Sequence, residues 1–149
     1  MNGFAVVLTF HVLAATVWTG GHIVLATVVL PRVLRHRAHE DLLRFEAGYE
    51  RVGIPALLIQ IISGVWLADR LVPGFANWFD MSNPVAKLIL VKLALLLLTA
   101  AFAVDARLRI IPNLSEHNLG SLAWHIIPVT VISIVFVVVG VAFRTGWLY

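Results

Sequence analysis

From Phe4 to Leu30 the chain reads FAVVLTFHVLAATVWTGGHIVLATVVL, without one Asp, Glu, Lys or Arg. At about 1.5 Å per residue such a helix outreaches a hydrocarbon core of about 30 Å, so the stretch predicts a membrane span with room for tilt. The span is expected to stop at Pro31-Arg32. Its ionisable groups are His11 and His22, 11 residues apart. At about 100° per residue that spacing puts both imidazoles on one helix face, on the order of 16 Å apart. Trp18 shares that face. Ionisable side chains inside a bilayer are costly and turn toward the bundle interior, which marks both histidines as candidate functional residues.

The rest of the chain repeats the pattern. Hydrophobic residues make up 60% of it and charged residues 13%, about half the usual share for soluble domains. Spans are expected at about 4–30, 52–72, 84–105 and 122–143. Asn83-Pro84 reads as the cap and first turn of the third span, and Pro73-Gly74 ends the second. The fold class is therefore an all-α integral membrane protein, one four-helix transmembrane bundle over 1–149. Between spans one and two, Ala38, Leu42, Phe45 and Tyr49 recur at helical spacing among charges. They predict an amphipathic cytoplasmic segment at the membrane surface that runs into helix two. Within it Arg37/Asp41 and Glu40/Arg44 stand four apart, as ion pairs would. Phe75, Trp78 and Phe79 suit an interfacial anchor in the loop after helix two.

The loops after helices one and three hold Arg32, Arg35, Arg37, Arg44, Arg51, Arg107 and Arg109. The positive-inside rule then predicts a multi-pass protein of the cell inner membrane with both termini outside. It also accounts for the net charge of +3 without nucleic acid as a partner. The N-terminal run is too long for a signal peptide and lacks a basic start. With no Cys, thiolate metal sites and iron–sulfur clusters are excluded.

This topology sorts the polar residues by depth. His11 and Lys92 stand seven and eight residues in from the outer ends of helices one and three. His22 and His125 are expected in an inner layer, with Gln60 between the two. Lys92 lies too deep to snorkel with ease and needs neutralisation, a partner or a ligand. Imidazole suits iron, copper and zinc alike. Plainer roles also fit: His22, beside Gly20-Gly21, as a helix-packing hydrogen bond, and His125, Trp147 and Tyr149 as interfacial residues. His36, His39 and His117 read as solvated loop residues.

His11, Trp18-Thr19-Gly20-Gly21 and Pro31-Arg32 resemble the opening helix of the copper resistance protein D (CopD) family. Ser63-Gly64-Val65-Trp66 and Lys92-Leu93 resemble its later landmarks. The His-to-Trp spacing and the helix-three lysine also resemble the HemJ-type four-helix protoporphyrinogen oxidase family. That second resemblance implies haem b and functional roles for His11 and Lys92. The first implies copper binding or movement at the inner membrane. Two departures stand out: Pro31-Arg32 follows Trp18 at a longer interval than in the HemJ pattern, and His22 lies outside it. CopD members are also often longer, with additional helices.

The leading expectation is a haem-b-binding membrane redox protein, for electron transfer or for porphyrinogen or quinol oxidation. His11, His22 and His125 would ligate, Trp18 would line the pocket, and His11 with Lys92 would carry any catalysis. The alternative is a copper ion on the same histidines, against which Met1 and Met81 are the only soft ligands. Expected partners are the lipid bilayer, with a quinone or a porphyrin as substrate. A homodimer or a place in a larger membrane complex also fits.

Overall fold

The computed structural model describes residues 2–115 and 117–148; Met1, Glu116 and Tyr149 lie outside, including the interfacial role expected of Tyr149. The described residues form helices and turns with no strand. Four rods are long and apolar enough to cross a membrane: α1 Gly3–His36, α2 His39–Leu71, α3 Pro84–Asn113 and α4 Leu119–Thr145.

The first rod does not stop at Pro31-Arg32. A proline inside a helix lacks the N–H for its ladder bond, and its ring crowds the preceding turn. Here the turn before it, Leu25–Val29, is wound as a π-helix, closed by the Leu30 N–H donating to the Leu25 carbonyl. That wider turn takes up the misfit, and the helix continues to His36. It ends where Arg37 adopts φ 53°, in the left-handed region. The third rod repeats the device: a π-helical turn at Ala106–Ile110 precedes Pro112 as Leu25–Val29 precedes Pro31. Asn83 caps α3 as expected, its side chain accepting from the N–H groups of Val85 and Ala86.

α1 is the hub. It packs along α2 on one side and against α4 on another, while α3 packs on α4. α2 and α3 pack little against each other and are joined mainly at their ends. At the arginine-rich end, Leu25, Leu30 and Val33 of α1 meet Leu42 of α2 and Leu119, Leu122 and Ile126 of α4. The amphipathic segment runs straight into the second span, as the pattern predicts, and its Leu42 is fully buried against the α1 arm. Its apolar face is therefore covered by protein. The expected Arg37/Asp41 and Glu40/Arg44 pairs do not form; Arg44 reaches Asp41 at 3.9 Å in an exposed contact. Arg37 cannot join because its left-handed backbone lies outside α2.

At the opposite end Val72, Trp78 and Ile89 form a second core. Trp78 is not the interfacial anchor expected of it. It is buried, with its indole N–H donating to the Val72 carbonyl at 2.9 Å. Phe75 and Phe79 stay exposed beside it.

Without a hydrophobic drive between helices in lipid, close packing at small residues brings them together. Tyr49 of α2 projects onto α1 between Gly21 and its own helix's Gly53; a methyl group at Gly21 would overlap the tyrosine ring. Gly20 faces open space. Gly21→Ala should therefore lower stability by about 1–3 kcal/mol through overpacking, outweighing its gain in helix propensity. Gly20→Ala should be neutral or stabilising, and thermal unfolding of the two variants in one detergent checks the pair.

Candidate functional site

His11 projects from α1 toward α2. Its Nδ1 lies 2.9 Å from Ser63 Oγ. The serine hydroxyl donates to the Ile59 carbonyl, with the Gln60 carbonyl also in reach at 3.3 Å. A hydroxyl has one proton, so Ser63 can only accept from the ring. His11 therefore carries its proton on Nδ1, and Nε2 presents a lone pair. The ring also needs Gly64: a Cβ there would come within 3.1 Å of His11 Cε1.

Lys92 reaches this layer from α3, as equal depth predicts. Its ammonium lies within Coulombic range of His11. The Nζ sits 5.3 Å from the centre of the Phe143 ring and beside Gly140 of α4, where even an added methyl group would make only ordinary contact with it. No carboxylate pairs with it among the described residues. Gln60, expected between the layers, begins the helical turn that holds Ser63. Its Oε1 is buried with no hydrogen-bond partner.

His22 forms a separate layer three turns away, about 16 Å along the helix, and shares no ligand position with His11. It is buried, and its Nδ1–H donates to the Trp18 carbonyl at 2.9 Å. The Trp18 ring lies 4.4 Å from the imidazole, centre to centre, and Tyr49 meets it edge-on at 5.6 Å. The tyrosine hydroxyl donates to the same Trp18 carbonyl at 3.0 Å. The Thr130 hydroxyl of α4 lies 3.2 Å from the His22 carbonyl, which marks where the two helices approach, while its shorter contact, 2.7 Å, is to the Ile126 carbonyl of its own helix. The imidazole itself bonds within its own helix; the contact to the neighbouring helix is through the His22 backbone carbonyl. Its Nε2 has no hydrogen-bond partner among the described residues.

His125 does not join His22. It turns to α3, where Nε2 lies 2.8 Å from Asp105 Oδ2 while Nδ1 faces the Ser121 carbonyl at 2.9 Å. Both ring nitrogens lie within hydrogen-bond distance of an oxygen.

Three participants escaped the sequence reading. Tyr49 had read as one more apolar position of the amphipathic helix. Asp105 had read as a helix end, although its depth matches that of His125. Thr130 gives no signal, because threonines in membrane helices usually bond their own backbone, as Thr130 also does to Ile126 at 2.7 Å.

Among the described residues no group of three or more His, Asp or Glu is placed to hold a metal ion. Two surface hollows lie away from these histidines. A groove of about 340 Å³ between α1 and α2 is lined by Phe10, Leu13, Val17, Val52 and Pro55, among others. A crevice of about 520 Å³ on α3 is bordered by Asp105 and Arg109.

Residues 43–143 match the copper resistance protein D family. The chain belongs to that family. The matched stretch includes Ser63, Gly64, Lys92 and His125 and starts after α1, so His11, Trp18 and His22 lie outside it. The HemJ-type kinship is not part of this match. No curated protein and no solved structure matches the chain. A multi-pass, bilayer-embedded member of a family linked to copper resistance is thus established.

Ser63→Ala would leave the His11 Nδ1–H without its acceptor. It should cost about 1–3 kcal/mol and release the tautomer, seen as a change in the His11 ring nitrogen shifts by NMR. Ser63→Thr should keep both.

Proposed function

We propose that this CopD-family protein handles copper as a cargo, with His11 and His22 as successive stations along α1. What supports the reading is the orientation of the two rings. Each Nδ1 is tied to a protein acceptor, leaving each Nε2 lone pair free, the usual arrangement of a metal-binding imidazole. Single-imidazole stations at two depths bind weakly. Weak, serial binding suits passage, because an ion must leave each site as readily as it arrives. A tight resident copper centre would ask for more donors than either layer assembles.

Lys92 gives the His11 station its control. A cation above His11 meets the lysine charge, so passage depends on how Lys92 is neutralised or turned aside. The arginines of the first and third loops support a cytoplasmic position for that end of the bundle, and with it the cell inner membrane and external termini.

A second reading keeps haem b. The free Nε2 atoms suit axial ligation, and Lys92, with no carboxylate beside it, could receive one from a porphyrinogen or hydrogen-bond a quinol. The donors fit this cofactor, but the packing does not: Trp18 and Tyr49 close on the His22 ring and leave no slot for a macrocycle.

The test is copper flux into vesicles holding the purified protein. His11→Ala and His22→Ala should each cut the flux about tenfold or more, a loss of about 1.4 kcal/mol of binding or barrier per factor of ten. His36→Ala, in the exposed arm of α1, should leave it unchanged. Flux equal to that of empty vesicles would overturn the proposal. A Soret band in the same purified sample would favour the second reading.

A further inference from the structure

The contact between α1 and α2 opens into a groove along one side. Ala14 of α1 and Ala56 of α2 are buried and form its floor. Phe10, Leu13 and Val17 stand along one wall, and Val52, Pro55 and Ile59 along the other. With its alanine, each set follows the i, i+3, i+4, i+7 spacing of a single helix face. Small residues at the contact and larger ones beside it leave the hollow of about 340 Å³. Phe10, Leu13, Val52 and Ile59 are exposed, so the slot is apolar and open to the acyl chains around the bundle.

Arg51 stands at the end of this groove and enters no ion pair among the described residues. Arg44 lies on the same face of α2, two turns nearer the arginine-rich end, with Gly48 between the two. Gly48 is exposed, and a methyl group added there would meet nothing within 4 Å. The two arginines, about 10 Å apart along the axis, therefore flank a bare patch of helix. The nearby acids do not cover it. Glu50 pairs with Arg107 of α3, and Glu46 lies within Coulombic range of that same arginine. Asp41 reaches Arg44 only at 3.9 Å, in an exposed contact.

We propose that the groove holds one anionic phospholipid, its acyl chain between the two walls and its phosphate over Gly48, within reach of Arg44 and Arg51. The chemistry fits at both ends. From Arg51 to Ile59, α2 advances about 12 Å, most of the roughly 15 Å that one leaflet gives to a hydrocarbon core of about 30 Å. At the other end, guanidinium groups bind phosphate oxygens in a two-pronged fashion, and their stems lie along apolar surface while their heads reach the headgroup layer. Basic residues just outside a span draw anionic lipid for this reason. A free phosphate would gain from the arginines alone, whereas the groove adds apolar area that only a chain can cover. The site stands apart from the copper reading and shares no residue with it.

The experiment uses the full chain, stripped of lipid in detergent and offered equal amounts of phosphatidylglycerol and phosphatidylcholine with the same acyl chains. Native mass spectrometry should show about one retained phosphatidylglycerol per chain, preferred about fivefold or more over phosphatidylcholine. Arg44→Gln combined with Arg51→Gln should bring the two lipids level. Arg109→Gln combined with Arg144→Gln removes the same charge at exposed positions away from the groove and should keep the preference. Val52→Trp, also at an exposed position, should fill the slot and cut the retained lipid about fivefold. Equal retention of the two lipids by the wild type would overturn the proposal. So would an equal loss in the two arginine variants, or lipid retention unaffected by Val52→Trp. Displacement by glycerol phosphate, a headgroup without a chain, would overturn it as well. A lipid-free dimer mass would give the groove to a second copy of the chain instead.

Discussion

The structure depends on how closely α1 and α2 approach. In a bilayer the lipid is as apolar as any leucine, so helices associate through fit and hydrogen bonds. Here the fit is made at glycines. Gly21 and Gly53 leave room for the Tyr49 ring, and Gly64 leaves room for His11. The same contacts carry the polar bonds, Tyr49 to the Trp18 carbonyl and His11 to Ser63. His11 thus owes its orientation to the packing of one helix pair, while His22 is held by a carbonyl of its own helix and walled by Tyr49. α4 completes the arrangement through Thr130 on the His22 carbonyl and Gly140 beneath Lys92.

α2 and α3 are treated differently. They pack little along their lengths and are tied at the arginine-rich end by Glu50 and Arg107. Asp105 ties α3 to α4 at that same end. Apolar packing joins α1 to α2 and α4, and α3 to α4, while charged contacts add to the hold on α3 at the arginine-rich end. Charged ties of this kind are weak when exposed and respond to pH and salt.

Much of this was legible from residues alone. Unbroken apolar runs revealed the four rods, and equal depth brought Lys92 to His11. The failures have physical causes. Pro31 looked like a stop because a proline usually ends a helix, but a π-turn absorbed it. Trp78 looked like an anchor because tryptophans favour interfaces, but its N–H found the Val72 carbonyl inside. His125 was assigned to His22 on depth, whereas the rotation of α4 aimed it at Asp105.

By itself the sequence determined that this chain enters a membrane as four helices, because lengths of apolar residue decide that without reference to any neighbour. It also set the expected depths of His11, His22 and Lys92, since depth is only a count along a helix. The tertiary structure decided what each meets, which depends on helix rotation and on where a missing side chain allows approach. The carbonyl of Trp18, one turn back on the same helix, holds His22, whereas the hydroxyl of Ser63 that holds His11 comes from another helix and does not follow from spacing in the chain.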